Sequence, residues 1–121
     1  MNWNITAGRP VYVQLVEQLE LALVAGEFPP GSRIPPVREL AADAGVNPNT
    51  MQRALQELER QGLLFSQRTS GRFVTEEKEV LDNLKKTLSK EYINELFDSL
   101  GKLGMSREEI VDAVKQWSME D

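Results

Sequence analysis

Residues 49–60 hold the side chains with the clearest chemical use. A helix advances about 100° per residue. On that wheel Asn49, Gln52, Arg53, Gln56 and Arg60 fall within about 60° of one direction, and Met51, Ala54, Leu55 and Leu58 take the opposite side. Asn and Gln hydrogen-bond adenine edges, and Arg matches guanine O6 and N7. The polar ridge therefore has the chemistry of base recognition. A solvated helix face is the competing reading, but such a face usually mixes Glu and Lys. Here Glu57 and Glu59 lie only on the flanks, and residues 1–75 contain no Lys.

The elements around this ridge follow from apolar spacing and from Gly and Pro. Tyr12, Leu15, Val16, Leu19 and Leu23 recur at steps of three and four, which predicts a helix over 11–25 stopped by Gly26. Val37, Leu40, Ala41 and Ala44 predict a second helix over 37–44. Gly45 supplies a tight turn, Asn47 an N-cap and Pro48 the first position of a third helix reaching about residue 61. A short Gly-containing turn between two helices is the helix-turn-helix pattern. Residues 63–66 and 72–75 read as two strands joined by the polar segment 67–71, a hairpin and hence a wing. Residues 32–34 read as a further short strand ended by Pro35 and Pro36. The expected fold is mainly α: a winged helix-turn-helix of three helices and a small antiparallel β-wing over 1–75, followed by a two-helix tail over 76–121.

Helix N-termini attract phosphate through free N–H groups and the macrodipole. Arg38 opens the second helix; Asn47, Asn49 and Thr50 open the third. Together with Gln52 and Arg53 these are the candidate DNA-binding residues of the helices. Arg68, Thr69, Gly71 and Arg72 are those of the wing, facing phosphate or the minor groove. For Gly71, a turn needing positive φ is an equally good reason.

Charge supports this division. Residues 1–75 carry seven arginines against seven acids, a net charge of zero, whereas residues 76–121 carry the chain's whole net charge of −5. There is no Cys and no His. That removes disulfides, zinc fingers, thiol nucleophiles and imidazole bases. No P-loop or GxGxxG motif is present, and the run of Glu108, Glu109 and Asp112 is explained by helix capping and solvation, so the reading is not an enzyme and no cofactor or metal is expected. No apolar run approaches the roughly 18 residues of a membrane span, and the N-terminus lacks the form of a signal peptide. Both point to a cytoplasmic chain without a membrane partner.

In the tail Leu81, Leu84, Leu88, Ile93, Leu96, Phe97, Leu100 and Leu103 form a stripe broader than one short helix can cover. Ser106 and Glu109 form a capping box that opens a last helix with Ile110, Val111, Val114 and Trp117 on its inner face. The stripe is expected to meet its copy in a homodimer; folding back on the head is the alternative. Trp3 and Trp117 are expected as packing anchors rather than the walls of a ligand pocket. A small-molecule effector between the tail helices stays open, with no residue to identify it.

Tyr12-Val13-Gln14-Leu15, the run 26–35, Val37-Arg38-Glu39-Leu40-Ala41, the run 45–51, residues 54–59, Gly62-Leu63-Leu64 and Gly71-Arg72-Phe73-Val74 together resemble the GntR family of bacterial transcription regulators over about residues 9–75. The resemblance implies DNA binding by Arg38, Asn47, Asn49, Thr50, Gln52 and Gly71. Pro36 departs from the Ser usual in the family, and Pro48 replaces an Arg of many members, which shifts base reading toward Gln52 and Arg53. About 46 residues follow the wing, similar to the short YtrA-type subgroup. That subgroup implies a dimerisation tail and repression of ABC-transporter operons through an inverted-repeat operator. A winged helix that docks on protein instead of DNA is the alternative function.

Overall fold

The computed structural model describes residues 1–120 and contains α1 (Val11–Val24), α2 (Val37–Ala44), α3 (Pro48–Arg60), β1 (Leu64–Gln67), β2 (Gly71–Val74), α4 (Lys78–Gly101) and α5 (Arg107–Ser118). Two compact units divide the chain, Met1–Lys85 and Lys86–Asp121. No helix among the described residues is long and apolar enough to cross a membrane.

In the head unit, Leu15, Leu19 and Leu23 of α1 and Leu40 and Ala41 of α2 close over Met51, Ala54, Leu55 and Leu58 of α3. These are the apolar positions expected from the spacing. Gln14 is the polar exception on α1. Its buried amide accepts from the Thr6 N–H at 2.8 Å and donates to the carbonyls of Thr6 and Arg9, so the N-terminal arm is fastened to α1 without an unpaired group. Trp3 packs against the same core and its Nε1–H donates to Asp43 Oδ2 at 2.8 Å, an anchor as expected.

Gly45 adopts φ +72 between α2 and α3, a left-handed position that L side chains avoid. After it Asn47 caps α3, its side chain accepting from the Asn49 N–H at 2.7 Å, and Pro48 occupies the first turn. Asn47→Ala is expected to destabilise the head by about 1 kcal/mol, read as a lower midpoint in urea unfolding at unchanged slope.

The strands sit one residue away from the expected limits. Leu63 donates its N–H to Leu58 O at 3.0 Å, so it closes the end of α3 and β1 begins at Leu64. β1 and β2 pair antiparallel from Leu64↔Val74 to Gln67↔Gly71. The strand expected at residues 32–34 is reduced to one bridge, Arg33↔Phe73. Pro35 and Pro36 have no N–H with which to continue the ladder. Its backbone bonds remain, Val74 N–H to Ser32 O and Ile34 N–H to Arg72 O.

The head also extends past the expected boundary at residue 75. Val80, Leu81 and Leu84, in the first turns of α4, are half-buried against the head core. Leu81 and Leu84 of the expected dimer stripe thus pack in part on the head within their own chain, as the fold-back alternative has it, and the portion of each that stays exposed is still open to a second copy.

Candidate DNA-binding interface

The α3 ridge stands outward from a floor of Met51, Ala54, Leu55 and Leu58, each with 0% exposure. Asn49, Arg53, Gln56 and Arg60 are exposed, while Thr50 and Gln52 are half-buried. The ridge is not uniform. Arg53 lies over the Tyr12 ring of α1 at 4.1 Å, a cation–π contact that fixes its plane and leaves its edge N–H groups as donors. Arg60 is hydrogen-bonded by a two-pronged contact to Glu57, which neutralises the far end of the ridge and holds the Glu57 carboxyl below its ordinary range.

The wing joins the ridge through Arg72. Its Nε donates to Glu59 Oε1 at 2.5 Å and its Nη1 to Gln52 Oε1 at 3.2 Å, and Ser66 Oγ donates to the same Glu59 oxygen at 2.6 Å. Arg72 is therefore held at the base of the wing, only 16% exposed, rather than extended from it as its position in the hairpin suggested. Burial works against the ionised Glu59, but the hydrogen bonds from Ser66 and Arg72 and the Arg72 charge outweigh it, so its carboxyl titrates below the ordinary carboxylate range. A depressed folded pKa means a contribution present above the unfolded value and lost as pH falls through the folded one. Thermal melts across pH should show the wild type more stable than Glu59→Gln at neutral pH. The difference should close below about pH 4.

Between the wing and the start of α2 lies an open cleft of about 370 Å³, lined by Arg33, Arg68, Arg72, Thr69 and Val37 among others. Arg38 is exposed on the first turn of α2, whose N-terminus has no side-chain cap. Uncapped N–H groups beside several guanidiniums favour an anion. Gly71 has φ +106, which meets the turn reason given for it, and a Cβ there would stand 2.8 Å from Arg33 Nε. Arg33 is the residue that pattern reading missed. Its signal is strand alternation, since buried Ile34 forces its neighbour Arg33 outward beside the wing.

In the second unit the capping box forms, with Glu109 N–H donating to Ser106 Oγ and Ser106 N–H to Glu109 Oε1. Of the expected inner face of α5 only Ile110 is buried. Val111 and Val114 are exposed, and Trp117 is 74% exposed, so it is not a buried anchor. Leu88, Phe97 and Leu100 are half-buried, and Ile93, Leu96 and Leu103 exposed. Leu96, Leu100, Ala113, Val114 and Trp117 line an apolar groove of about 400 Å³.

A polar helix face without a central acid, set behind a three-residue turn and beside a two-stranded hairpin, defines a winged helix-turn-helix DNA-binding protein. The family model for bacterial regulatory proteins of the gntR family matches residues 11–74, and the chain belongs to the GntR family. It is 35% identical to the HTH-type transcriptional regulator YhcF of Bacillus subtilis, over 98% of each chain. It is 34% identical to the HTH-type transcriptional repressor YtrA of the same organism, over 90% of this chain and 85% of that one. A solved GntR family transcriptional regulator from Listeria monocytogenes superposes with a TM-score of 0.84 at 32% identity, covering 93% of this chain and 98% of the other. The chain is thus a DNA-binding transcriptional regulator of the short, YtrA-like kind and not an enzyme.

Proposed function

We propose that the chain is a repressor that binds an inverted-repeat operator as a homodimer in the cytoplasm. The observation that carries this is the outward α3 ridge over its fully buried floor. Asn49, Gln52, Arg53 and Gln56 read the major groove, with Asn47 and Thr50 at the helix entry. Arg38, Arg68 and Thr69 hold phosphates, and Gly71 lets the wing approach. The tail supplies the dimer: Ile93, Leu96 and Leu103 leave apolar surface in water that a second copy would remove, each side chain being worth roughly 1.5–3 kcal/mol when fully buried. Two-fold pairing sets the two α3 helices about one DNA turn, roughly 34 Å, or a multiple apart, hence the inverted repeat. Repression is supported by the similarity to a repressor. Control of transporter operons rests on the subgroup resemblance alone.

A gel shift with the DNA upstream of its own gene tests the proposal. Retardation of a fragment containing an inverted repeat, lost when either half is scrambled, is the expected result. A folded dimer that retards no fragment at low salt would instead favour docking on protein.

A further inference from the structure

Gln52 and Arg72 look like two independent DNA contacts in the sequence, yet they are bonded to each other. An arginine side chain has donors and no acceptor, so the Gln52 atom that meets Arg72 Nη1 at 3.2 Å is the carbonyl Oε1. The planar amide then offers its Nε2 donors to any further partner. The paired Gln–adenine contact uses both ends, Oε1 accepting from N6 and Nε2 donating to N7. Oε1 keeps a second lone pair, but Arg72 rather than adenine N6 sets the direction of the amide, which weakens the two-ended pairing; guanine, with acceptors at both N7 and O6, and thymine O4 are met by the Nε2 donors alone.

Arg72 can do this only if it is itself held. Glu59 lies seven residues after Gln52, close to two helical turns, and so on the same side of α3. Its Oε1 accepts from Arg72 Nε at 2.5 Å and from Ser66 Oγ at 2.6 Å. The guanidinium therefore spans from Glu59 to Gln52 along α3, supplied from β2.

We propose that Glu59 is a positioning residue which, through Arg72, turns Gln52 to read chiefly through its Nε2 donors, so that the operator carries guanine or thymine at the base Gln52 faces. This rests on the reading that α3 enters the major groove.

The test is selection of binding sites from a randomised operator by the full-length wild type, Gln52→Ala, Arg72→Met and Glu59→Ala. Gln52→Ala should flatten preference at one position in each half-site. There the wild type should favour guanine or thymine over adenine by about tenfold. Arg72→Met and Glu59→Ala should cut that ratio severalfold while preferences elsewhere in the half-site hold, an outcome that general weakening of the wing would not give. Wild-type preference for adenine at that position overturns the proposal, as does a Gln52→Ala profile identical to wild type. So does an unchanged ratio in the folded variants. Circular dichroism checks their folding, and if neither folds the wild-type and Gln52→Ala profiles decide alone. No selection by the wild type at all would instead remove the DNA reading of α3.

Discussion

A chain carrying Leu96→Glu and Trp117→Glu should sediment as a monomer and lose roughly 10²- to 10⁴-fold in operator affinity, with the melting of the head little changed. Both residues line the apolar groove of the second unit, Leu96 at 40% and Trp117 at 74% exposure. Neither belongs to the core cluster of the head. If that groove is the dimer face, new carboxylates there face their own copies across the two-fold axis, desolvated and alike in charge. The affinity loss follows because each half-site must then be bound separately. Two heads joined by a dimer face gain from the second contact being intramolecular, an advantage of effective concentration rather than of new bonds. Sedimentation and gel shift on the same preparation separate the two effects. An unaltered dimer would mean that another surface pairs the subunits.

Arg38→Ala should lower affinity for specific and scrambled duplexes alike, by roughly ten- to a hundredfold if one charge-assisted hydrogen bond worth about 1.5–3 kcal/mol is lost. Arg38 is exposed at the uncapped start of α2, where the helix field and free N–H groups favour a phosphate over a base. Phosphate contacts position the protein without carrying sequence information. The slope of log affinity against log salt should accordingly fall in magnitude by about 1. Binding curves at several salt concentrations give both quantities. A loss confined to the specific duplex would place Arg38 against a base instead.

How far the sequence predicts this molecule depends on the range of the interaction concerned. The limits of α2 and α3 follow from local chemistry: Gly45 in its left-handed turn, Asn47 bonding two residues ahead, Pro48 in the first turn. The floor under the ridge follows from spacing alone, since Met51, Ala54, Leu55 and Leu58 can share only one side of a helix. What spacing hides is the partner across space. Arg72 and Gln52 are 20 residues apart, and Arg72 and Glu59 are 13 apart. An angular wheel places Gln52 and Glu59 correctly around α3 but carries nothing about the arginine that joins them. Tyr12 reads as part of the α1 core stripe, and it also supports Arg53. The stripe of α4 is a single pattern in sequence, yet Leu81 and Leu84 serve the head while Ile93 and Leu96 stay exposed in the second unit. Periodicity records that a face is apolar; what covers it depends on how far neighbouring elements reach.

The most direct test of paired α3 helices reading DNA is an equilibrium titration. Fluorescence anisotropy would follow binding to a labelled duplex containing the inverted repeat near physiological salt, with stoichiometry taken at saturation. The account predicts two chains per duplex and at least about 10³-fold tighter binding than to a scrambled duplex. Saturation at one chain per duplex, or equal affinity for the two sequences, would contradict it.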